Sequence, residues 1–267
     1  RLNFAQSFNG LGCICAPIVT GLLLFSEDGN TGSGNVALPY ACMGVIVLLV
    51  AVLFSRVRLP EIVHEDEVNA DGHKVGLWKH KLFVFGLMAL FAYEVGEISI
   101  NSFFINYVLE QGWMNARTAS LVLSFGGLSL FMLGRFIGSW IMRRVRADKM
   151  LFVCASGVVV TTTVVLLDLG YVSLIALLLV YAFEAIMFPT IFALSLRGLG
   201  NHTKRASSFL MMSPVGGVVG PLLMGLVADY TTMVIAFVVP LLAYIVVWLY
   251  ACKLYTLSGK SMEKAVV

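Results

Sequence analysis

The sequence predicts an all-α integral membrane protein, because it is too apolar for a water-facing fold and its apolar residues occur in runs of membrane-spanning length. Of its 267 residues, 59% are apolar or aromatic and only 12% are Asp, Glu, Lys or Arg. Soluble domains average about 45–50% apolar residues and about 25% charged residues. The mean hydropathy of +0.92 agrees. This composition excludes a soluble enzyme, a disordered segment and a nucleic-acid-binding module.

Eight apolar stretches are long enough to cross the hydrocarbon core, which takes about 20 residues of helix. They are residues 2–25, 36–54, 82–107, 118–142, 150–167, 173–196, 207–228 and 233–252. We expect helices because a bilayer core offers no water to satisfy open backbone groups. The runs are also continuously apolar, whereas strands of a membrane barrel would alternate with a period of two.

The basic residues predict the orientation of these spans. If residue 1 is cytoplasmic, the inside segments contain every Lys and Arg of the chain except Arg117 and Arg135. Cytoplasmic connectors of membrane proteins are enriched in Lys and Arg. Both ends of the chain are therefore expected on the cytoplasmic side.

One connector divides the chain into unequal parts. Residues 56–81 form a long, charged segment with Pro60, Gly72 and an acidic run at 65–67, and we expect a cytoplasmic interdomain loop there. Residues 1–55 then hold two helices, residues 82–253 a six-helix block and residues 254–267 a cytoplasmic tail. This is the pattern of a twelve-helix, two-bundle transporter without its first four helices. Because the chain also starts at Arg1, we expect it to be the C-terminal part of a longer protein.

Four ionisable residues lie well inside the spans: Glu94, Glu97, Arg135 and Glu184. Each costs at least about 2.5–3.5 kcal/mol at a helix centre, so each is expected to face a cavity or a partner. Glu94, Glu97 and Asn101 follow at intervals of three and four and share one helix face. We interpret this face as the lining of a water-filled cavity. The alternative is a structural pairing with a neighbouring helix.

The first span is rich in side-chain amides in its cytoplasmic half. Gln6 and Asn9 are neutral, so they cost less to bury than a charge, and they both donate and accept hydrogen bonds. This chemistry suits a polyhydroxylated ligand better than an ion or a lipophilic drug. Hydrogen bonding between helices is the alternative role.

Two further features predict structural or gating roles. Gly134 and Gly138 form a small-xxx-small contact surface beside Arg135, and we interpret the three residues as a gating or bundle-locking element. Pro189 follows Glu184 by about one turn and interrupts the hydrogen-bond ladder of its helix. A broken helix beside a buried carboxylate exposes backbone groups to a ligand.

The sequence predicts neither a metal site nor a cofactor. All four histidines fall in polar connectors, and Cys13 and Cys15, two residues apart, point to different sides of a helix. The cysteines in apolar stretches are interpreted as small buried thiols. We expect no catalytic residues, because the chain contains no H-E-x-x-H or G-x-S-x-G motif.

Four sequence strings together resemble one family. They are AQSFN at residues 5–9, GRFIGS at 134–139, FPTIF at 188–192 and GLGNHTK at 198–204. In order and spacing they are similar to the fucose:proton symporter and glucose/galactose transporter branch of the major facilitator superfamily. The resemblance covers essentially the whole chain, as helices five to twelve.

The resemblance implies a secondary transporter of the bacterial inner membrane that imports a hexose or deoxyhexose by alternating access, driven by protons in the fucose case. It assigns sugar contacts to Gln6, Asn9, Glu97 and Phe188, to which the shared helix face adds Asn101. Glu94 and Glu184 stand where the family would not lead us to expect carboxylates. Together with Glu97 they are candidate proton-coupling or cavity carboxylates, although the family's main proton-carrying acids lie on helices one and four.

Other functions are compatible with parts of this pattern. An exporter of drugs or other metabolites from the same superfamily is the principal alternative, and an apolar, aromatic cavity without paired amides would favour it. A membrane-embedded enzyme would have to use Glu94, Glu97 or Glu184 as acid or base. A purely structural role leaves the four buried charges without a task.

Overall fold

The computed structural model describes residues 37–56 and 77–266, and these residues form seven helices. In chain order they are α1 (Ala37–Arg56), α2 (Lys81–Glu110), α3 (Ala116–Ile141), α4 (Ala147–Leu166), α5 (Tyr171–Ser195), α6 (Thr203–Tyr230) and α7 (Met233–Leu257, continuing as helix to Val266). Helices α2–α7 are long and apolar enough to cross a membrane. The expected all-α fold is confirmed. The predicted span at 2–25 and most of the predicted connector at 56–81 lie outside the described residues.

Four of these helices are irregular. α3 contains a π-helical segment at Leu123–Leu128, which the sequence did not lead us to expect. α5 is interrupted at Ala185 and Ile186, α6 by a 3₁₀ segment at Ser213–Val215, and α7 at Phe237. Each of the last three interruptions is at or within one turn of a proline, which lacks an N–H and clashes with the carbonyl four residues earlier. The break in α5 therefore precedes Pro189 rather than falling on it.

Short connectors at 111–115, 142–146, 167–170 and 231–232 make successive helices antiparallel. At one end of the bundle the Trp78 and Phe209 rings lie 5.1 Å apart between centroids, and the His80 and His202 rings 6.2 Å apart. At the opposite end the Trp113 ring stacks on Tyr171 at 5.4 Å. Between residues 77 and 257, the basic residues other than Arg117 and Arg135 belong to the first of these ends.

Helix α2 lies in the interior and contacts α5, α6 and α7. Gly216 and Gly220 allow α6 to approach the α2 backbone closely. A Cβ at Gly216 would lie 2.6 Å from the main-chain oxygen of Phe91, and one at Gly220 would overlap the main-chain oxygen of Val95. Small residues at such crossings are typical of membrane helices, where close backbone packing holds the bundle together.

Large apolar side chains cover the outside of the bundle. Phe125 is 65% exposed, Leu222 62% and Ile137 57%, and many similar residues accompany them on α2–α7. Contiguous exposed apolar surface on this scale is unsuited to water and suited to lipid chains. Together with the six long apolar helices, it makes the chain an integral membrane protein.

Candidate functional site

A cluster of polar side chains lies inside the bundle, where α2, α3, α5 and α7 meet. It consists of Tyr93, Glu97, Arg135, Glu184 and Tyr244, and we refer to it as the carboxylate cluster. Tyr93 and Glu97 lie about one turn apart on α2, and the carboxylate of Glu97 interacts electrostatically with the guanidinium of Arg135. Tyr244 donates a hydrogen bond to Oε1 of Glu184. Four helices thus contribute to one polar network.

The break in α5 is part of this network. Pro189 has no N–H to offer the main-chain oxygen of Ala185 four residues earlier, and Nε of Arg135 donates to that oxygen at 3.1 Å instead. The neighbouring main-chain oxygen of Glu184 accepts from the hydroxyl of Tyr93 at 3.2 Å. The backbone groups that we expected to face a ligand are therefore bonded to side chains of α2 and α3.

Gly134 and Gly138 position Arg135 beside the break. A Cβ at Gly134 would lie 2.8 Å from the main-chain oxygen of Ala182, and one at Gly138 would overlap the side chain of Ile186. The ring of Phe131 lies under the guanidinium, with its centroid 4.5 Å from Cζ of Arg135. The small-residue surface predicted for α3 thus packs against the interrupted part of α5.

Glu184 is the most deeply buried acid of the cluster, with no exposed side-chain surface. Its Oε1 accepts from Tyr244, and within the described ranges its Oε2 is buried without a hydrogen-bond partner. The hydroxyl of Tyr181, one turn earlier on α5, has no partner there either. Buried polar groups normally have a hydrogen-bond partner, so these two unpaired atoms indicate a functional role for the region.

Glu94, Glu97 and Asn101 lie along one face of the uninterrupted helix α2, as their spacing predicts. Glu94 is 8% exposed and packs against Gly216 of α6. Glu97 and Asn101 are half-buried, and Oδ1 of Asn101 is buried without a partner in the described part of the chain. Asn101 thus retains an unused hydrogen-bond acceptor on the face that carries Glu97.

Phe188 lies beside the carboxylate cluster. Its half-buried ring has its centroid 6.2 Å from that of Tyr93 and 6.4 Å from that of Phe192, on which it stacks. The structure therefore places Phe188 beside Tyr93, which lies one turn before Glu97 on α2. Gln6 and Asn9, the two amides assigned to sugar contacts, lie outside the described residues.

Three tyrosines of this region were not among the expected site residues. Tyr93 precedes Glu97 by four residues and Tyr181 precedes Glu184 by three, so both spacings place the hydroxyl and the acid on one helix face. Those two tyrosines could have been found from the sequence. Tyr244 carries no such local signal, because its partner Glu184 is 60 residues away.

A separate cavity of about 720 Å³ lies between α2, α6 and α7. Its lining includes Phe91, Val95, Leu223 and Val246, and Ser213 is the polar side chain among its lining residues. Neither Glu97 nor Asn101 contributes to it. The cavity is apolar and lies on a different side of α2 from the carboxylate cluster.

An ion pair marks the connector between α3 and α4. Arg146 donates to both carboxylate oxygens of Asp148, with Nη2 2.6 Å from Oδ2. Asp148 is buried in the first turn of α4, whereas Arg146 is exposed. The hydrogen bonds from Arg146 to this carboxylate raise the pKa of the guanidinium above its usual value. The pair fixes the turn at the basic end of the bundle.

Comparison with known proteins places this architecture in a family. The family model described as Major Facilitator Superfamily matches residues 1–213. The chain is 31% identical to a glucose/galactose transporter of Brucella abortus over 91% of its own length and 60% of the relative. It is 34% identical to a putative glucose/galactose transporter of Helicobacter pylori, over 96% and 66%.

A fucose transporter provides both a sequence and a structural match. The chain is 28% identical to the L-fucose-proton symporter of Escherichia coli over 94% of its length and 63% of the relative. The crystal structure of the transporter FucP in the outward conformation superposes with a TM-score of 0.71 at 29% identity, over 95% of this chain and 67% of that chain. The chain thus spans about three fifths to two thirds of the length of these proteins. Because the family model covers well over half of its residues, the chain belongs to the Major Facilitator Superfamily.

Proposed function

We propose that this chain is the C-terminal portion of a proton-coupled importer of a monosaccharide of the fucose, glucose or galactose class. The observation that carries the proposal is the similarity along more than nine tenths of the chain to relatives named glucose/galactose transporter and L-fucose-proton symporter. Import would proceed by rocking of two bundles about a site near the middle of the membrane. Four further helices would precede residue 1.

The proposed sugar site consists of Gln6, Asn9, Glu97, Asn101 and Phe188. Support comes from the shared face of Glu97 and Asn101, from the unused acceptor on Asn101, and from the half-buried ring of Phe188 beside Tyr93. Acid and amide oxygens accept hydrogen bonds from sugar hydroxyls, and an aromatic ring covers the apolar face of a pyranose.

Three acids in and around this site are candidates for proton coupling. Glu97 and Glu184 belong to the carboxylate cluster, and Glu94 interacts electrostatically with Glu97. Burying an acid at this depth in a membrane costs free energy, and such residues usually serve a function. We assign Glu94, Glu97 and Glu184 to the handling of protons or of water in the cavity.

We further propose that the protein lies in the bacterial inner membrane with both ends of this chain in the cytoplasm. The support is the accumulation of basic residues at the end of the bundle that contains His80 and His202. Lysines and arginines are enriched on the cytoplasmic side of membrane proteins. Surrounding lipid, the sugar and the proton are the partners that this arrangement requires.

Uptake of labelled sugar by cells that express the full-length protein tests the proposal. We expect uptake of at least one of fucose, glucose and galactose, with large losses in Glu97→Gln and Asn9→Ala. Ile137→Leu, a change on the exposed outer face of α3, is the matched control and should behave as wild type. Wild-type rates in both site variants would remove the site assignment, and absence of uptake for all three sugars would remove the function.

An exporter of drugs or other metabolites is the second candidate. The observation that favours it is the apolar cavity between α2, α6 and α7, whose volume of about 720 Å³ suits an amphiphilic molecule. Efflux of an amphiphilic dye separates the two functions. Dye efflux that stops in Val95→Trp, with no uptake of sugar by the wild type, would establish the exporter.

A further inference from the structure

The apolar cavity between α2, α6 and α7 opens sideways onto the outer surface of the bundle. Met88 and Leu242 line it and are 57% and 58% exposed, so its walls continue into the apolar surface that suits lipid chains. Along α6 the lining extends from Phe209 to Leu223, which is about 20 Å of helix. One leaflet of a bilayer contributes about half of the roughly 30 Å hydrocarbon core. The cavity is therefore long enough for an acyl chain of one leaflet.

One polar side chain in this lining lacks a hydrogen-bond partner. Ser213 is 2% exposed, and within the described ranges its buried hydroxyl oxygen has no partner. It lies where the 3₁₀ segment Ser213–Val215 interrupts α6. Buried hydroxyl groups normally have a partner. An occupant that has a hydrogen-bonding group as well as a hydrocarbon chain would therefore fit the cavity better than a pure hydrocarbon.

Three basic side chains lie at one mouth of the cavity, at the basic end of the bundle. Each is one or two turns from a lining residue of its own helix, and the pairs are Lys81 and Met88, Arg205 and Phe209, and Lys253 and Val246. Spacings of four and seven residues place both members of a pair on one helix face. All three basic residues are exposed, and none forms an ion pair within the described part of the chain. We refer to these three basic residues as the cationic rim.

Aromatic side chains connect the cationic rim to the cavity. Nζ of Lys253 lies 5.4 Å from the centroid of the Phe85 ring, and Phe85 follows Lys81 by one turn on α2. The exposed ring of Trp78 packs edge-on against Phe209, with 5.1 Å between centroids. Tryptophan is enriched where the hydrocarbon core of a membrane meets its headgroups. The rim is therefore at the depth of the headgroups, and the cavity extends from it into the hydrocarbon core.

We propose that the apolar cavity binds an anionic phospholipid, with one acyl chain along its walls, an ester carbonyl at the Ser213 hydroxyl and the phosphate at the cationic rim. Lysines and arginines near a membrane surface attract anionic lipids. A zwitterionic phospholipid brings its own cation, which the rim would repel. The enrichment of basic residues on one side of a membrane does not require them to share a face with the cavity on three helices. The proposal goes beyond sugar import and does not rest on it.

Photolabelling of the full-length protein in phosphatidylcholine nanodiscs tests the proposal. The nanodiscs contain a small fraction of phosphatidylglycerol or of phosphatidylcholine with a diazirine in one acyl chain, and labelled peptides are mapped by mass spectrometry. We expect the phosphatidylglycerol probe to label the lining segments 87–95, 209–223 and 239–246 about tenfold more than the phosphatidylcholine probe. Both probes should label the exposed outer face of α4 at 153–160 equally.

Two triple variants separate the cationic rim from basic residues in general. The rim variant is Lys81→Gln, Arg205→Gln and Lys253→Gln. The matched control removes three exposed basic residues at the same end of the bundle, Arg143→Gln, Arg144→Gln and Lys149→Gln. The rim variant should lose the preference for the phosphatidylglycerol probe in the lining segments, whereas the control should keep it.

Three results would overturn the proposal. The first is label in the lining segments no greater than at 153–160, as expected if other helices of the full-length protein cover the cavity. The second is equal labelling of the lining segments by the two probes in the wild type. The third is a preference for phosphatidylglycerol that survives in the rim variant. Since no sugar is present, these results are independent of whether the protein takes up fucose, glucose or galactose.

Discussion

Arg135 donates from Nε to the main-chain oxygen of Ala185 at 3.1 Å, and this is the carbonyl that Pro189 leaves without its helical donor. The side chain of one helix therefore replaces a hydrogen bond that proline removed from another. Because 50 residues separate the two partners, the interruption of α5 and the charge on α3 belong to one structural unit.

Removal of the Arg135 side chain should destabilise the bundle. In Arg135→Ala the buried oxygen of Ala185 loses its donor, at a cost of about 1–3 kcal/mol. Thermal unfolding of the detergent-solubilised full-length protein measures the effect. Arg143→Ala, which removes an exposed arginine from the nearby connector, is the control. An equal loss of stability in the two variants would contradict the role of the Arg135–Ala185 bond.

Restoring the backbone N–H at residue 189 should partly compensate for the loss of Arg135. Pro189→Ala reintroduces an N–H that can bond the oxygen of Ala185, so Arg135→Ala should be less harmful in that background, by about 1 kcal/mol. A double-mutant cycle of unfolding midpoints gives this coupling. Pro221→Ala, at a proline inside α6, should show none with Arg135→Ala. If the effects of Pro189→Ala and Arg135→Ala on the unfolding midpoint are strictly additive, Arg135 does not replace the hydrogen bond that Pro189 removes.

Close packing of α3 on α5 should not tolerate a methyl group. A Cβ at Gly134 would lie 2.8 Å from the main-chain oxygen of Ala182, and backbone cannot move away as a side chain can. We expect Gly134→Ala to cost about 1–3 kcal/mol through overpacking. At Gly225 the nearest atom is on the Phe103 ring, 3.3 Å away, so Gly225→Ala should cost less. The reverse order of the two midpoints would contradict this packing.

Removal of the Tyr244 hydroxyl should destabilise the fold more than neutralisation of its partner Glu184. Tyr244→Phe leaves the fully buried carboxyl of Glu184 without its donor, at a cost of about 1–3 kcal/mol. Glu184→Gln keeps an oxygen that accepts from Tyr244 and should be milder. Unfolding midpoints of the two single variants and the double variant measure the difference. A larger loss in Glu184→Gln would show that the carboxyl has a further partner.

The sequence could predict the six helices α2–α7 because length and hydropathy are local signals, and it could identify Glu94, Glu97, Arg135 and Glu184 because ionisable residues in apolar runs are conspicuous. It could not predict that Arg135 bonds Ala185, since this depends on how α3 packs on α5. The same holds for Tyr244 and Glu184. The π-helical segment at Leu123–Leu128 has no signal that we could identify beyond its two glycines.

The position of the α5 interruption was predictable only in part. Pro189 marks the helix as broken, but the effect of a proline falls on the carbonyl four residues earlier, which moves the break to Ala185 and Ile186. Whether the freed carbonyls face a ligand or the protein depends on neighbouring helices. Here Tyr93 and Arg135 donate hydrogen bonds to these carbonyls. Only the three-dimensional arrangement could show that they face the protein and not a ligand.

The most direct test of proton-coupled sugar import is the movement of protons that follows the addition of sugar to weakly buffered proteoliposomes containing the full-length protein. With no imposed gradient, addition of the transported sugar outside should carry protons inward and raise the external pH. Glucose, galactose and fucose are each added, and vesicles without protein are the control. The account predicts a rise for at least one sugar, abolished by a protonophore. Sugar uptake without any pH change, or no response to all three sugars, would contradict it.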